Sequence, residues 1–126
     1  DDYAHHPTEL RAAIGAAKAL FPGRKITGIF QPHLYTRTRD FLDGFAAALD
    51  ELDEVLLLDI YPARGLPISG ISSERILEKM SNVNKKLLHK AEVLNELKKQ
   101  DVEILLSLGA GDIDTLVGPV REWLRG

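Results

Sequence analysis

Four consecutive apolar residues, Val55-Leu56-Leu57-Leu58, restrict what this chain can fold into more than any other stretch does. The run is too short for a helix and too continuous for a strand with one wet face. It reads as a strand covered on both sides, which requires a sheet with helices on each face. Residues 102–108 read as a second buried strand, 25–31 as an alternating strand bounded by turn residues, and 84–89 as a short one. Helical periodicity falls between them. In 8–20, Leu10, Ile14 and Ala17 share a face ahead of the stop signal Phe21-Pro22-Gly23. In 40–51, Phe41, Phe45, Ala48 and Leu49 point inward. Further helices are expected over 73–81, 91–100 and 112–124, and a Pro/Gly/Ser loop over 61–73. This alternation predicts an α/β fold, a Rossmann-like three-layer domain with a mostly parallel sheet flanked by helices.

The 126 residues form one domain, long enough to close a core without staples. With 16 basic against 19 acidic residues, the formal charge is -3 and gives no electrostatic footprint for nucleic acid. Cysteine is absent, so disulfides and thiolate metal sites are excluded. No apolar run approaches the roughly 20 residues that span a bilayer, and no secretory signal is recognisable. The expectation is a cytoplasmic protein with neither nucleic-acid nor membrane partners.

In a parallel sheet, ligands gather at the carboxyl ends of the strands. Four polar clusters fall at that edge: Asp1-Asp2-Tyr3-Ala4-His5-His6-Pro7, then 31–39, 59–70 and 109–112. The opening heptapeptide packs two acids, a phenol and two imidazoles ahead of a proline suited to the first turn of a helix, where one capping residue would suffice. Its crowding points to handling of charge and protons. Adjacent histidines rarely converge on one ion, so no metal site is assigned to His5 and His6; one imidazole handles a hydrogen bond or proton, or simply caps the helix. Asp1 and Asp2 suit Mg²⁺ as hard oxygen ligands, or merely end a strand.

Gln31-Pro32-His33-Leu34-Tyr35-Thr36-Arg37-Thr38-Arg39-Asp40 reads as a compact anion receptor, with a helix N-terminus and an N-cap-like Thr beside two arginines. The plain alternative pairs Arg37 and Arg39 with Asp40 or Asp43 on a solvated surface. Gly109-Ala110-Gly111 lacks the third glycine of a dinucleotide fingerprint and is read as a tight turn. A bacterial receiver domain, with Asp59 as phosphoacceptor after the buried run, is the rival reading. No apolar strand precedes the acid pair, however, and Ser107-Leu108-Gly109 stands where a receiver has lysine then proline.

Asp-Asp-Tyr-Ala-His-His-Pro-Thr-Glu at 1–9, Phe-Gln-Pro-His-Leu-Tyr-Thr-Arg-Thr-Arg-Asp at 30–40, Asp-Ile-Tyr-Pro-Ala-Arg at 59–64 and Gly-Ala-Gly-Asp-Ile at 109–113 occur in that order. Together they resemble the C-terminal domain of the Mur ligases, in the branch that joins L-alanine to UDP-N-acetylmuramate. The resemblance implies a peptidoglycan enzyme of three domains, the first for the UDP sugar and the second an ATPase with a P-loop. ATP would activate the muramoyl carboxylate as an acyl phosphate, which the amino group of L-alanine attacks. No Gly-x-x-x-x-Gly-Lys-Ser/Thr occurs here. ATP and Mg²⁺ are therefore expected mainly on the central domain, residues 1–126 are expected to be the third domain, and that domain alone to be inactive. By the same resemblance Asp2 contacts the nucleotide ribose, and Tyr3 and His5 face the reacting phosphate and the incoming amino acid. His33 and Arg37 hold the alanine carboxylate, with Arg39 as a second cation. Leu34 stands where some members carry another Arg. No residue of this domain is assigned a catalytic role.

Overall fold

Strand β2 (Glu54–Leu58) carries the apolar run, and its residues alternate between two separate cores. The structure, a computed structural model, describes residues 6–60, 67–82, 84–99 and 102–109. Val55 and Leu57 pack on one face with α1 (Pro7–Leu20), α3 (Leu42–Leu49) and α4 (Ser73–Lys79). Leu56 and Leu58 pack on the other with Val93 and Leu97 of α5 (Val93–Lys98). In β2 that burial on both faces is filled by the apolar side chains of residues 55–58 alone.

Among the described residues the sheet has four parallel strands in the order β3-β2-β1-β4, with β1 at Ile26–Gln31, β3 at Lys85–Leu88 and β4 at Ile104–Gly109. The expected α/β layering is therefore present. β4 differs from expectation in burial. It is an edge strand of this sheet, so Ile104, Leu105 and Leu106 are only half-buried while Leu108 is fully buried. The expected 112–124 helix, the 109–111 turn beyond Gly109 and residues 61–66 of the expected 61–73 loop lie outside the described residues.

The polar stretch ahead of the expected 40–51 helix contains a short helix of its own. Residues 35–40 already form α2 (Tyr35–Asp40), and the chain breaks at Phe41 (φ −120°, ψ 25°) before α3 begins. The break re-aims Phe41, which is 37% exposed rather than inward-facing. Its ring meets His6 edge-on at 4.6 Å and Phe45 at 6.4 Å. α1 and α3 approach closely at Gly44, where a Cβ would stand 2.9 Å from Pro7 Cγ. α4 and α5 are each shorter than expected, and a 3₁₀ turn (Lys90–Glu92) leads into α5.

The amino edge of the sheet is tied by satisfied polar groups. Asp53 Oδ2 accepts from Ile26 N at 2.7 Å, and the Asp50 carboxylate accepts from Ser81 N and Asn82 N, each at 2.9 Å. Lys85 Nζ donates to the carbonyls of Leu77 and Met80, which close α4. Such pairing fixes backbone groups that burial would otherwise leave expensive.

Candidate functional site at the carboxyl edge

From β1 the chain runs outward to β2 and β3 on one side, while β4 lies on the other. The order thus reverses between β1 and β4, whose ends pair Gln31 with Gly109. A crevice outside such a reversal is where parallel sheets hold ligands. His33, Leu34 and α2 follow two to four residues after Gln31.

Arg37 Nη1 donates to His33 Nδ1 at 3.3 Å, one helical turn apart, with both side chains half-buried. A guanidinium only donates, so Nδ1 is the unprotonated nitrogen and Nε2 carries the hydrogen. Between them Leu34 adopts φ 69°, ψ 134°, a region forbidden to most non-glycine residues. Such a conformation costs on the order of 1–3 kcal/mol and persists only where the surroundings impose it, typically at binding sites. Neither threonine caps α2, whose N-cap is Leu34 without a side-chain hydrogen bond, and Thr38 lies inside the helix. Its hydroxyl bonds back to the Leu34 carbonyl at 2.9 Å and is buried, pinning the strained turn from within the helix.

Arg39 is placed apart from Arg37, as two residues on a helix turn through roughly 200°. Its Nε donates to Asp40 Oδ1 at 2.9 Å, and both side chains are more than half exposed. It borders a shallow groove with Phe41, Asp43, Arg75 and Lys79. An exposed pair of this kind contributes little stability.

His6 is the N-cap of α1: its Nδ1 accepts from Thr8 N at 3.1 Å. Of the two adjacent histidines it therefore serves the capping role, while its ring packs on Phe41. Asp2, Tyr3 and His5 lie outside the described residues. No group of three His, Cys, Asp or Glu side chains among the described residues could hold a metal ion.

Three edge residues have partners that sequence reasoning did not anticipate. Gln31 Nε2 donates to the Asp59 carbonyl at 3.3 Å, and Asp59 Oδ2 meets His89 Nδ1 at 2.7 Å. The network crosses the ends of β1, β2 and β3. A polar residue ending each strand was its signal in the sequence.

Residues 1–118 match the family described as Mur ligase, glutamate ligase domain. The chain belongs to the Mur ligase family. The domain is 57% identical over 124 residues to a UDP-N-acetylmuramate–L-alanine ligase of Parabacteroides distasonis, covering 98% of this chain and 27% of that protein. It is 52% identical over 125 residues to the enzyme of that name from Flavobacterium johnsoniae, covering 99% of this chain and 28% of the relative. This Mur ligase domain thus spans about a quarter of the length of such relatives. A solved UDP-N-acetylmuramate–alanine ligase from Thermotoga maritima superposes with a TM-score of 0.72 at 31% identity, over 99% of this chain and 26% of that one. A murein peptide ligase from Psychrobacter arcticus shares the fold at TM-score 0.75 and 16% identity, over 97% of this chain and 26% of that one.

The family match leaves the receiver alternative without support. Asp59 does follow the buried strand, but in this Mur ligase domain its carboxylate engages His89. That contact has a pH signature. The hydrogen bond and charge of Asp59, with Glu92 adding to them, raise the His89 pKa above the ordinary 6.5. A raised folded value means that the contact contributes fully below about pH 6.5 and is lost as pH rises through the folded pKa. An NMR titration of His89 is expected to show a midpoint above 6.5 that Asp59→Asn returns toward the ordinary value. An unchanged midpoint in Asp59→Asn would mean the contact is not formed.

Proposed function

We propose that this domain positions L-alanine in a cytoplasmic, ATP-dependent ligase that joins the amino acid to UDP-N-acetylmuramate through an acyl phosphate in peptidoglycan synthesis. The observation that carries this reading is Arg37, held by His33 at the strand-order reversal beside a strained backbone. A guanidinium fixed in orientation suits a carboxylate fork, and holding that carboxylate leaves the amine free to react. Arg39 is proposed as a weaker second cation, supplying field rather than a fork. The names of the relatives supply the choice of amino acid and sugar nucleotide.

The described residues do not by themselves fit ATP or Mg²⁺. They contain no cluster of metal-ligating side chains, and the whole sequence lacks a P-loop. The nucleotide and its metal are assigned to the part of the relatives that residues 1–126 do not span, with Asp2 of this chain proposed for the ribose, and Tyr3 and His5 for the reacting phosphate and the incoming amino acid. Packing the domain against that part would shield a hydrolysable acyl phosphate from water.

The test is phosphate release. A full-length enzyme carrying this domain is expected to release phosphate from ATP when UDP-N-acetylmuramate and L-alanine are both present, and residues 1–126 alone to release none. Turnover by the isolated domain, or full-length turnover indifferent to L-alanine, would overturn the reading.

A further inference from the structure

Gln31 holds the one buried side-chain oxygen among the described residues that has no hydrogen-bond partner. The residue is 6% exposed, and its Oε1 receives no donor although Nε2 is engaged with the Asp59 carbonyl. The other buried polar side chains are satisfied: Thr27 by Glu54, Thr38 by the Leu34 carbonyl and Ser73 by the Leu58 carbonyl. An unsatisfied buried acceptor is unfavourable, and methionine would fill the same volume without that cost. The orphan oxygen stands at the carboxyl end of β1, beside the strand-order reversal and two residues before His33.

We propose that Gln31 Oε1 is a positioning acceptor for an N–H of the incoming amino acid, an assignment that rests on the alanine reading of Arg37. The chemistry of a free α-amino acid explains the pairing. Its carboxylate only accepts and its ammonium only donates, so a complete receptor needs cationic donors on one side and a neutral acceptor on the other. Arg37 supplies the first and Gln31 the second. A carboxamide suits the task better than a carboxylate, because it takes an N–H without stabilising the ammonium against loss of its proton. Holding one N–H also fixes the direction of the nitrogen lone pair once that proton has left.

The experiment uses the full-length enzyme and two competitive inhibitors of L-alanine. L-lactate replaces the ammonium with a hydroxyl donor, and propionate has no donor there. Wild type is expected to bind L-lactate about tenfold more tightly than propionate, the worth of one hydrogen bond. Gln31→Met is expected to bring the ratio to about one, whereas Gln31→Glu, which keeps an acceptor, holds it above one. Mere structural damage would weaken both inhibitors equally and leave the ratio in place. Arg37→Ala, run in parallel, raises both inhibition constants without changing their ratio. An unchanged ratio in Gln31→Met, with Arg37→Ala still weakening both, overturns the Gln31 assignment and leaves the carboxylate reading standing. If Arg37→Ala weakens neither, the carboxylate reading fails and takes this assignment with it.

Discussion

Replacing Phe45 with alanine is expected to lower the stability of the domain by about 3–5 kcal/mol, a drop in Tm of about 10–20 °C for a chain of this size. Phe45 is 1% exposed and its ring lies 5.4 Å from that of Phe30, so truncation leaves a cavity between α3 and β1 that neighbours fill poorly. Phe41→Ala makes the contrast. That ring is part-exposed and touches His6 and Phe45 only by their edges, so its loss is expected to cost about 1 kcal/mol. Thermal unfolding of the two variants checks the break between α2 and α3 directly. Equal losses would mean that both rings are core and that 40–51 is a single helix.

The comparison of those two phenylalanines also shows where the sequence was readable. Both sit at helical spacing with Ala48 and Leu49, and periodicity alone assigns both to the core. What separates them is the break at Phe41 between α2, which already begins at Tyr35 after the turn at Leu34, and α3. Nothing in a hydrophobic pattern reports a strained φ. The Val55–Leu58 run was legible for the opposite reason, because burial on two faces leaves a mark on every residue of the strand. The apolar run of β4 looked alike in sequence, yet its place at the edge of the described strands depends on strand order, which pattern does not encode.

The site divides in the same way. The residue types of 31–40 read as an anion receptor, and the structure separates the two arginines of that reading, Arg37 toward His33 and Arg39 toward Asp40. Spacing of two on a helix allowed that division to be foreseen once α2 was known to begin before Arg37. Gln31 was visible only as a polar end to an apolar strand. Its unpaired oxygen is a property of three-dimensional neighbours, and no count of residue types reveals it.

Arg37 carries the largest functional effect expected here. Hydrogen bonds to charged groups contribute about 1.5–3 kcal/mol each, and a guanidinium offers two to a carboxylate. Truncation to alanine is therefore expected to cost about 3–4 kcal/mol in alanine binding, or roughly 10²–10³-fold. Arg37→Lys keeps the charge but loses the planar fork, so it falls between wild type and Arg37→Ala. His33→Ala removes the contact that orients the guanidinium and is expected to produce a smaller loss of about tenfold, since Arg37 remains able to bind with more freedom to lose. Neither change touches a group assigned to the nucleotide.

The most direct measurement is the steady-state alanine dependence of the full-length enzyme with Arg37→Ala, read beside its ATP dependence. The account predicts an alanine KM raised roughly 10²–10³-fold while the ATP KM stays within about twofold. An alanine KM that does not move, or an ATP KM that rises in step with it, would contradict the placement of the amino-acid carboxylate on this arginine.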